Sequence, residues 1–209
     1  DELQKALALM PDHLSLYQLT IEPGTRFWAL AAKGDLTLPD GDAAADLFEA
    51  TDALTRAAGL PRYEVSNHAR PGSESRHNLT YWRYGDYCGV GPGAHGRRHA
   101  QATERHKKPE NYLSAVTRNG HGLKVENALT PMQRANEALV MGLRLTQGVD
   151  LARVEAMSGL ARGEFLDGGA VDRLVGQGLM AKSGDRLRVT DAGILLLDSV
   201  LAAVVRTAS

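Results

Sequence analysis

The sequence predicts an α/β protein: strands alternating with helices in its first part, then a mostly helical, winged-helix-like domain. Two observations predict it. A β-prone run, an amphipathic helix and a second short β-prone run follow one another in the first 70 residues. Beyond residue 125, helix signals dominate until a single short β element precedes a last helix. The first order reads as a βαβ unit, hence a parallel pair with a crossover helix.

The elements follow in order. The run 13–21 (HLSLYQLTI) alternates as a strand and ends at the turn signal Glu22-Pro23-Gly24. A helix starts near Asp40, with Leu47, Leu54 and Ala58 at helical spacing and Gly59 as its stop. Residues 62–66 (RYEVS) form the next strand candidate, ended by Asn67. Strand character returns at residues 86–90 (DYCGV) within a Gly- and aromatic-rich stretch. A helix is predicted over 109–118, closed by Asn119-Gly120. Thr130-Pro131-Met132-Gln133 is a helix start in which Thr130 caps, Pro131 takes the first helical position and Gln133 completes a capping box. That helix is expected to reach about Thr146, with shorter helices near 150–158 and 167–177. Residues 186–189 read as a strand, and Thr190 as the cap of a final helix through about Val205.

Composition sets bounds. The 209 residues are 43% hydrophobic and 23% charged, ordinary for a globular protein. One cysteine excludes an internal disulfide, a Cys-rich zinc site and an iron–sulfur cluster held by three cysteines of this chain. No apolar run approaches the ~18 residues of a transmembrane helix, and the start, Asp1-Glu2-Leu3-Gln4-Lys5, has neither the basic residues nor the apolar stretch of a signal peptide. The expected compartment is the cytoplasm. Charge is uneven. Residues 1–61 hold 4 basic and 10 acidic side chains, residues 62–124 hold 11 and 5, and residues 125–209 hold 9 and 10. The middle segment, net +6 with six of the seven histidines, is where an anionic ligand would sit; the alternative is a solvated basic face. A net charge of −1 over the tail does not supply the basic footprint of a DNA reader, so no nucleic-acid partner is expected.

Two motifs carry candidate chemistry. In His77-Asn78-Leu79-Thr80-Tyr81-Trp82, the imidazole is a ligand for iron or zinc, the two aromatics offer flat apolar surface, and the flanking Arg76 and Arg83 can pair with carboxylates. That set suits a macrocycle with a central metal and acidic edges, such as heme. The competing reading is a loop whose aromatics pack into the core. The second motif, Gly89-Val90-Gly91-Pro92-Gly93-Ala94-His95-Gly96, lets backbone approach closely. Pro92 and the polar residues that follow exclude a dinucleotide fingerprint. Cys88 reads as a buried, inert strand residue, with soft heme ligation as the alternative. His95 and His99 stand four apart, but the glycines around them argue against the helix that would bring them together. HExxH, P-loop, GxSxG and CxxC motifs are absent from the sequence.

Residues 13–25, 62–67, 77–82 and 89–96, in that order, resemble the oxygen-independent coproporphyrinogen oxidase superfamily. The HNxxYW run is similar to that of its heme-chaperone branch, the HemW type. The resemblance implies the C-terminal half of a radical SAM partial (β/α) barrel over residues 1–124, and the helical, winged-helix-like C-terminal domain over residues 125–209. It implies heme binding at His77, Asn78, Tyr81, Trp82, Arg76 and Arg83, with His77 on the iron. Delivery to heme-accepting proteins follows, rather than turnover of porphyrin. The alternative is the C-terminal part of a coproporphyrinogen III dehydrogenase of porphyrin biosynthesis. The superfamily's CxxxCxxC cluster motif and glycine-rich S-adenosyl-L-methionine (SAM) motif are missing from this sequence. The sequence is therefore expected to be part of a longer protein and to have no catalytic residues of its own. The [4Fe–4S] cluster and SAM are assigned to the parent, with Thr20, Ala94 and His95 as residues near SAM. Peripheral membrane association is compatible with this reading, and the oligomeric state is left open.

Overall fold

A computed structural model describes residues 1–206. It is a mixed α/β structure that divides into two compact units, 1–74 and 75–209. The boundary expected from the resemblance, between residues 124 and 125, falls inside the second unit, shortly before a helix that starts at Pro131.

The first unit contains α1 (Glu2–Leu7), β1 (His13–Ser15), α2 (Arg26–Lys33), α3 (Gly41–Ala57) and β2 (Asn67–Ala69). Helix α3 starts as the sequence predicts. Asp40 accepts a hydrogen bond from the Ala43 amide at 2.8 Å, which satisfies one of the orphan donors of the first turn. Helix α2 has its own cap in Thr25, and Gly34 closes it with a φ of 80°.

The strands correct the predicted parallel unit. β1 and β2 pair antiparallel, with His13 opposite Ala69 and Ser15 opposite Asn67. The cause is a reversal within residues 62–68, the stretch read as a strand. Arg62 bridges His68, and the Tyr63 amide donates to the Asn67 carbonyl at 3.0 Å, so the chain turns back before it pairs. The run 13–21 is shorter than predicted for a related reason. Only three residues find a partner strand; Leu16 adds one hydrogen bond to Ser66, and Tyr17 and Leu19 are exposed.

The second unit begins with α4 (Arg76–Trp82). A three-stranded antiparallel sheet follows, with β3 (His95–Arg98), β4 (Gln101–Arg105) and β5 (Leu123–Ala128) in that order and α5 (Pro109–Asn119) between the last two in sequence. The β3–β4 hairpin turns at His99 and Ala100, both at positive φ. Two predictions need correcting in this region. Of residues 86–90, Tyr87 alone pairs, through a bridge to Arg97, and Cys88 is exposed outside any strand. With no partner strand beyond that bridge, the segment stays irregular and its thiol meets solvent.

The tail is winged-helix-like, as the sequence predicts. It comprises α6 (Pro131–Gly142), β6 (Val149–Asp150), α7 (Leu151–Ser158), α8 (Arg162–Phe165), α9 (Gly168–Gly176), β7 (Met180–Ser183), β8 (Arg186–Val189) and α10 (Leu197–Val204). The strands lie in the order β6-β8-β7, all antiparallel. The capping box at Thr130 and Gln133 is formed in both directions. Thr190 does not cap the last helix. Its hydroxyl donates to Gly178 and accepts from the Gly193 amide, and a 3₁₀ turn over Ile194–Leu196 precedes α10. Leu139, Leu143, Phe165, Leu187 and Val204 form the fully buried centre of this unit.

Candidate functional site

The HNxxYW residues form helix α4 rather than a loop. Ser75 caps it by accepting from the Asn78 amide, and no residue of the helix is fully buried. Residues four apart share a helical face. That spacing brings His77 against Tyr81, ring centroids 5.5 Å apart and edge-on. Tyr81 also meets Trp82 at 4.9 Å and Tyr87 at 6.4 Å, an aromatic cluster on the flank of the helix. His77 itself is exposed, and its Nδ1 lies 3.4 Å from Asn78 Oδ1.

Trp82 and Arg83 look onto a different space. They line a cavity of about 330 Å³ whose other walls come from Tyr84, α6, the β6 region, α7 and Arg186 of β8. The Arg144 guanidinium sits over the Trp82 ring at 5.9 Å, and Trp82 Nε1 is buried with no hydrogen-bond partner among the described residues. With the Gln147 amide turned so that its oxygen faces Arg83, that oxygen accepts from Nε at 2.9 Å and from Nη2 at 3.2 Å. The structure thus gathers His77, Asn78, Tyr81 and Trp82 on one short helix but places His77 outside the cavity that Trp82 and Arg83 line. Arg76 is exposed in the first turn.

Beside α4, Glu137 of α6 is held from two elements. Arg97 of β3 donates to both of its oxygens, at 2.9 and 2.8 Å, and the Tyr84 hydroxyl donates to it at 2.6 Å. Burial raises the carboxyl's proton affinity, but the hydrogen bonds from Arg97 and Tyr84 outweigh it, so Glu137 titrates below its ordinary value. Burial together with the Glu137 hydrogen bond and charge pushes the Tyr84 hydroxyl far above the usual tyrosine range.

The glycine-rich motif serves internal packing. A Cβ on Gly89 would lie 2.2 Å from the His95 carbonyl, and one on Gly96 would lie 2.6 Å from Thr103 Oγ1 and 3.0 Å from the Gly89 amide nitrogen. The two glycines let one backbone segment pass against the next. Arg105 then ties the segment down by donating from Nε to the Gly89 carbonyl. Of the residues assigned near SAM, Ala94 is half-buried and accepts from the Arg105 amide, and His95 opens β3, exposed. Thr20 is exposed in the first unit, after β1. Among the described residues, no three His, Cys, Asp or Glu side chains group as a metal site, and the exposed Cys88 is the chain's single thiol. These residues do not fit an iron–sulfur cluster. No helix of the described residues is long and apolar enough to cross a membrane.

Sequence reasoning missed Glu137, Gln147 and Arg144 altogether. Their partners lie about 40 to 64 residues away in sequence, and no local pattern marks them.

Comparison with known proteins places this geometry. Residues 129–196 match the HemN C-terminal domain. The chain is 40% identical over 210 residues to the mouse radical S-adenosyl methionine domain-containing protein 1, mitochondrial, covering 96% of this chain and 48% of that protein. It is 34% identical over 205 residues to the heme chaperone HemW of Escherichia coli, covering 96% of this chain and 51% of that one. The Mycobacterium tuberculosis heme chaperone HemW is 38% identical over 192 residues, covering 91% and 46%. The fold is that of the corresponding part of coproporphyrinogen III oxidase (HemN) from Escherichia coli, a radical SAM enzyme, with a TM-score of 0.72, 20% identity, and coverage of 96% of this chain and 49% of that one. The chain spans about half the length of the curated relatives it matches.

Proposed function

Starting from a chain that is similar, over nearly all its length, to the HemW-type heme chaperones of the coproporphyrinogen oxidase-like radical SAM superfamily, we propose that it binds heme as cargo at helix α4 and contributes to heme delivery by a longer parent. The observation that carries the reading is His77. It stands exposed at the start of α4, edge-on to Tyr81, with Asn78 Oδ1 beside Nδ1. An oxygen at Nδ1 favours the tautomer whose Nε2 lone pair is free for iron. Tyr81 braces the imidazole and offers an aromatic surface beside it, and Arg83 supplies a cation for a heme carboxylate. Delivery needs a cargo that leaves again, and an exposed single ligand suits that better than an enclosed one.

The parent's SAM and [4Fe–4S] cluster, the acceptor proteins, and a barrel portion that ends near residue 124 remain parts of this proposal. The cytoplasm is the proposed compartment, supported by the single cysteine; the mouse relative's name places that protein in mitochondria. The oxidase alternative has less support, since the likeness to HemN is 20% identical against 34–38% for the chaperones above.

The test is a heme titration followed in the Soret band. The expected result is a shifted band that is lost in His77→Ala and kept in Tyr81→Phe. An unchanged spectrum and affinity in His77→Ala would remove the ligand assignment. Conversion of coproporphyrinogen III by the cluster-loaded full-length parent would favour the oxidase instead.

A further inference from the structure

We infer that the cavity behind Trp82 is a carboxylate anchor for the tetrapyrrole, with Arg83 and Arg153 as its binding residues, acting independently of the iron. The inference rests on the heme reading above and adds a second point of attachment, in a cavity that Arg83 lines and His77 does not.

The cavity holds an excess of positive charge, only part of which a carboxylate among the described residues matches. Arg83, Arg153 and Arg186 line it with one carboxylate, Asp150. Asp150 is already engaged: it caps α7 by accepting from the Arg153 amide at 3.1 Å, and it lies 3.7 Å from Arg186. Among the described residues, neither Arg83 nor the Arg153 side chain has a carboxylate within ion-pair distance. Arg83 is nonetheless held in place by the neutral Gln147 amide. A guanidinium positioned by a neutral partner keeps its full charge for an incoming anion, and its planar fork matches a carboxylate.

The remaining walls define what carries that anion. Leu145, Val149 and Val154 are buried apolar side chains, and Trp82 and Met157 stand beside them. An apolar floor under a cationic rim takes an apolar body with an acidic end. A volume of about 330 Å³ is at the low end of what encloses a drug-sized ligand, roughly 300 Å³ and upward. The cavity therefore admits the acidic edge of a large planar ligand and leaves its centre outside. A second cavity of about 230 Å³ shares Tyr84, Arg153 and Met157 with the first and carries Arg98 and Arg134 against one carboxylate, Asp86; its Arg97 is already paired with Glu137. Two adjoining guanidinium-lined cavities with Arg153 in their common wall suit two carboxylate arms on one edge of a ring. Arg153 thus joins Arg83 as a carboxylate partner from a separate helix, α7.

Metal-free protoporphyrin IX tests this, because it keeps the carboxylates and offers His77 no iron. Its fluorescence on titration with the chain reads the affinity. The expected result is equal binding by wild type and His77→Ala, with binding weakened roughly tenfold to a hundredfold in Arg83→Ala and Arg153→Ala. The dimethyl ester of the same porphyrin is expected to bind weakly and without dependence on Arg153. Both arginines are exposed, so neither substitution empties the core. Equal affinity of wild type, Arg83→Ala and Arg153→Ala for the free acid would overturn the inference, as would binding of heme but not of metal-free porphyrin. Arginine-dependent porphyrin binding alongside an unchanged heme spectrum in His77→Ala would instead remove the iron ligand and leave the anchor standing.

Discussion

Arg97 and Glu137 face each other as a two-pronged pair, Nε to Oε2 at 2.9 Å and Nη2 to Oε1 at 2.8 Å, and so pin the β3 strand to helix α6. Removing one side leaves a half-buried charge without its partner. Glu137→Ala is expected to destabilise the chain by about 2–3 kcal/mol at neutral pH, measured as a lower urea midpoint. The pair also sets a pH dependence. The Glu137 carboxyl titrates below its ordinary value of 4.5, so its contribution is full above that pH and is lost as pH falls through the folded-state value. Glu137→Gln is expected to flatten that part of the acid limb; an identical slope from pH 5 to 3 would refute the assignment.

Tyr84 gives a spectroscopic check on the same network. Burial and the hydrogen bond to Glu137 hold its hydroxyl protonated well past its ordinary value of 10. With six tyrosines in the chain, Tyr84→Phe is expected to show the same tyrosinate absorbance as wild type near pH 11. A loss of about one part in six would mean that Tyr84 ionises normally.

In the first unit, His68 is buried and its Nδ1 lies 2.9 Å from Thr55 Oγ1. Burial lowers its proton affinity below the ordinary 6.5, against a smaller opposing effect of Asp52. The unfolded chain binds the proton more readily, so stability falls as pH drops below about 6.5 and levels off below the folded-state value. His68→Gln is expected to remove that decline, read by thermal unfolding between pH 7.5 and 5.

Gly89→Ala tests whether the glycine-rich motif serves packing. The added Cβ would meet the His95 carbonyl oxygen, a backbone atom that cannot swing aside, at 2.2 Å. A cost of about 2 kcal/mol or more is expected, in line with overpacking of a tight interior. Wild-type stability combined with lost ligand binding would move the motif's role from packing to recognition.

Thr130→Ala removes the hydroxyl that accepts from the Gln133 amide at 3.2 Å. About 1 kcal/mol is expected. A change within error would show that α6 is fixed by its packing rather than by its cap.

The sequence was most legible where structure is local. Asp40, Thr130 with Gln133, and Gly120 were readable as helix ends because a cap acts across four residues or fewer. The strand at residues 186–189 and the helix-rich order of the tail were readable for the same reason. Strand pairing was not. The 62–68 segment has β-prone residues but turns back on itself, which makes β1 and β2 antiparallel. Residue type alone points Cys88 to the interior, and its exposure depends on the lack of a neighbouring strand.

The same division runs through the site. By itself the sequence determined the candidate motif, its family resemblance and, through a single cysteine, that these residues cannot supply the three thiolates of a family-type iron–sulfur cluster. The tertiary structure alone decided that Trp82 and Arg83 line a cavity that His77 does not, and that Gln147 and Arg153 stand with Arg83 around it. Spacing along a helix fixes which residues share a face, because 3.6 residues make a turn. Partners 40 or 64 residues away are chosen by the packing of whole elements, which no local pattern encodes.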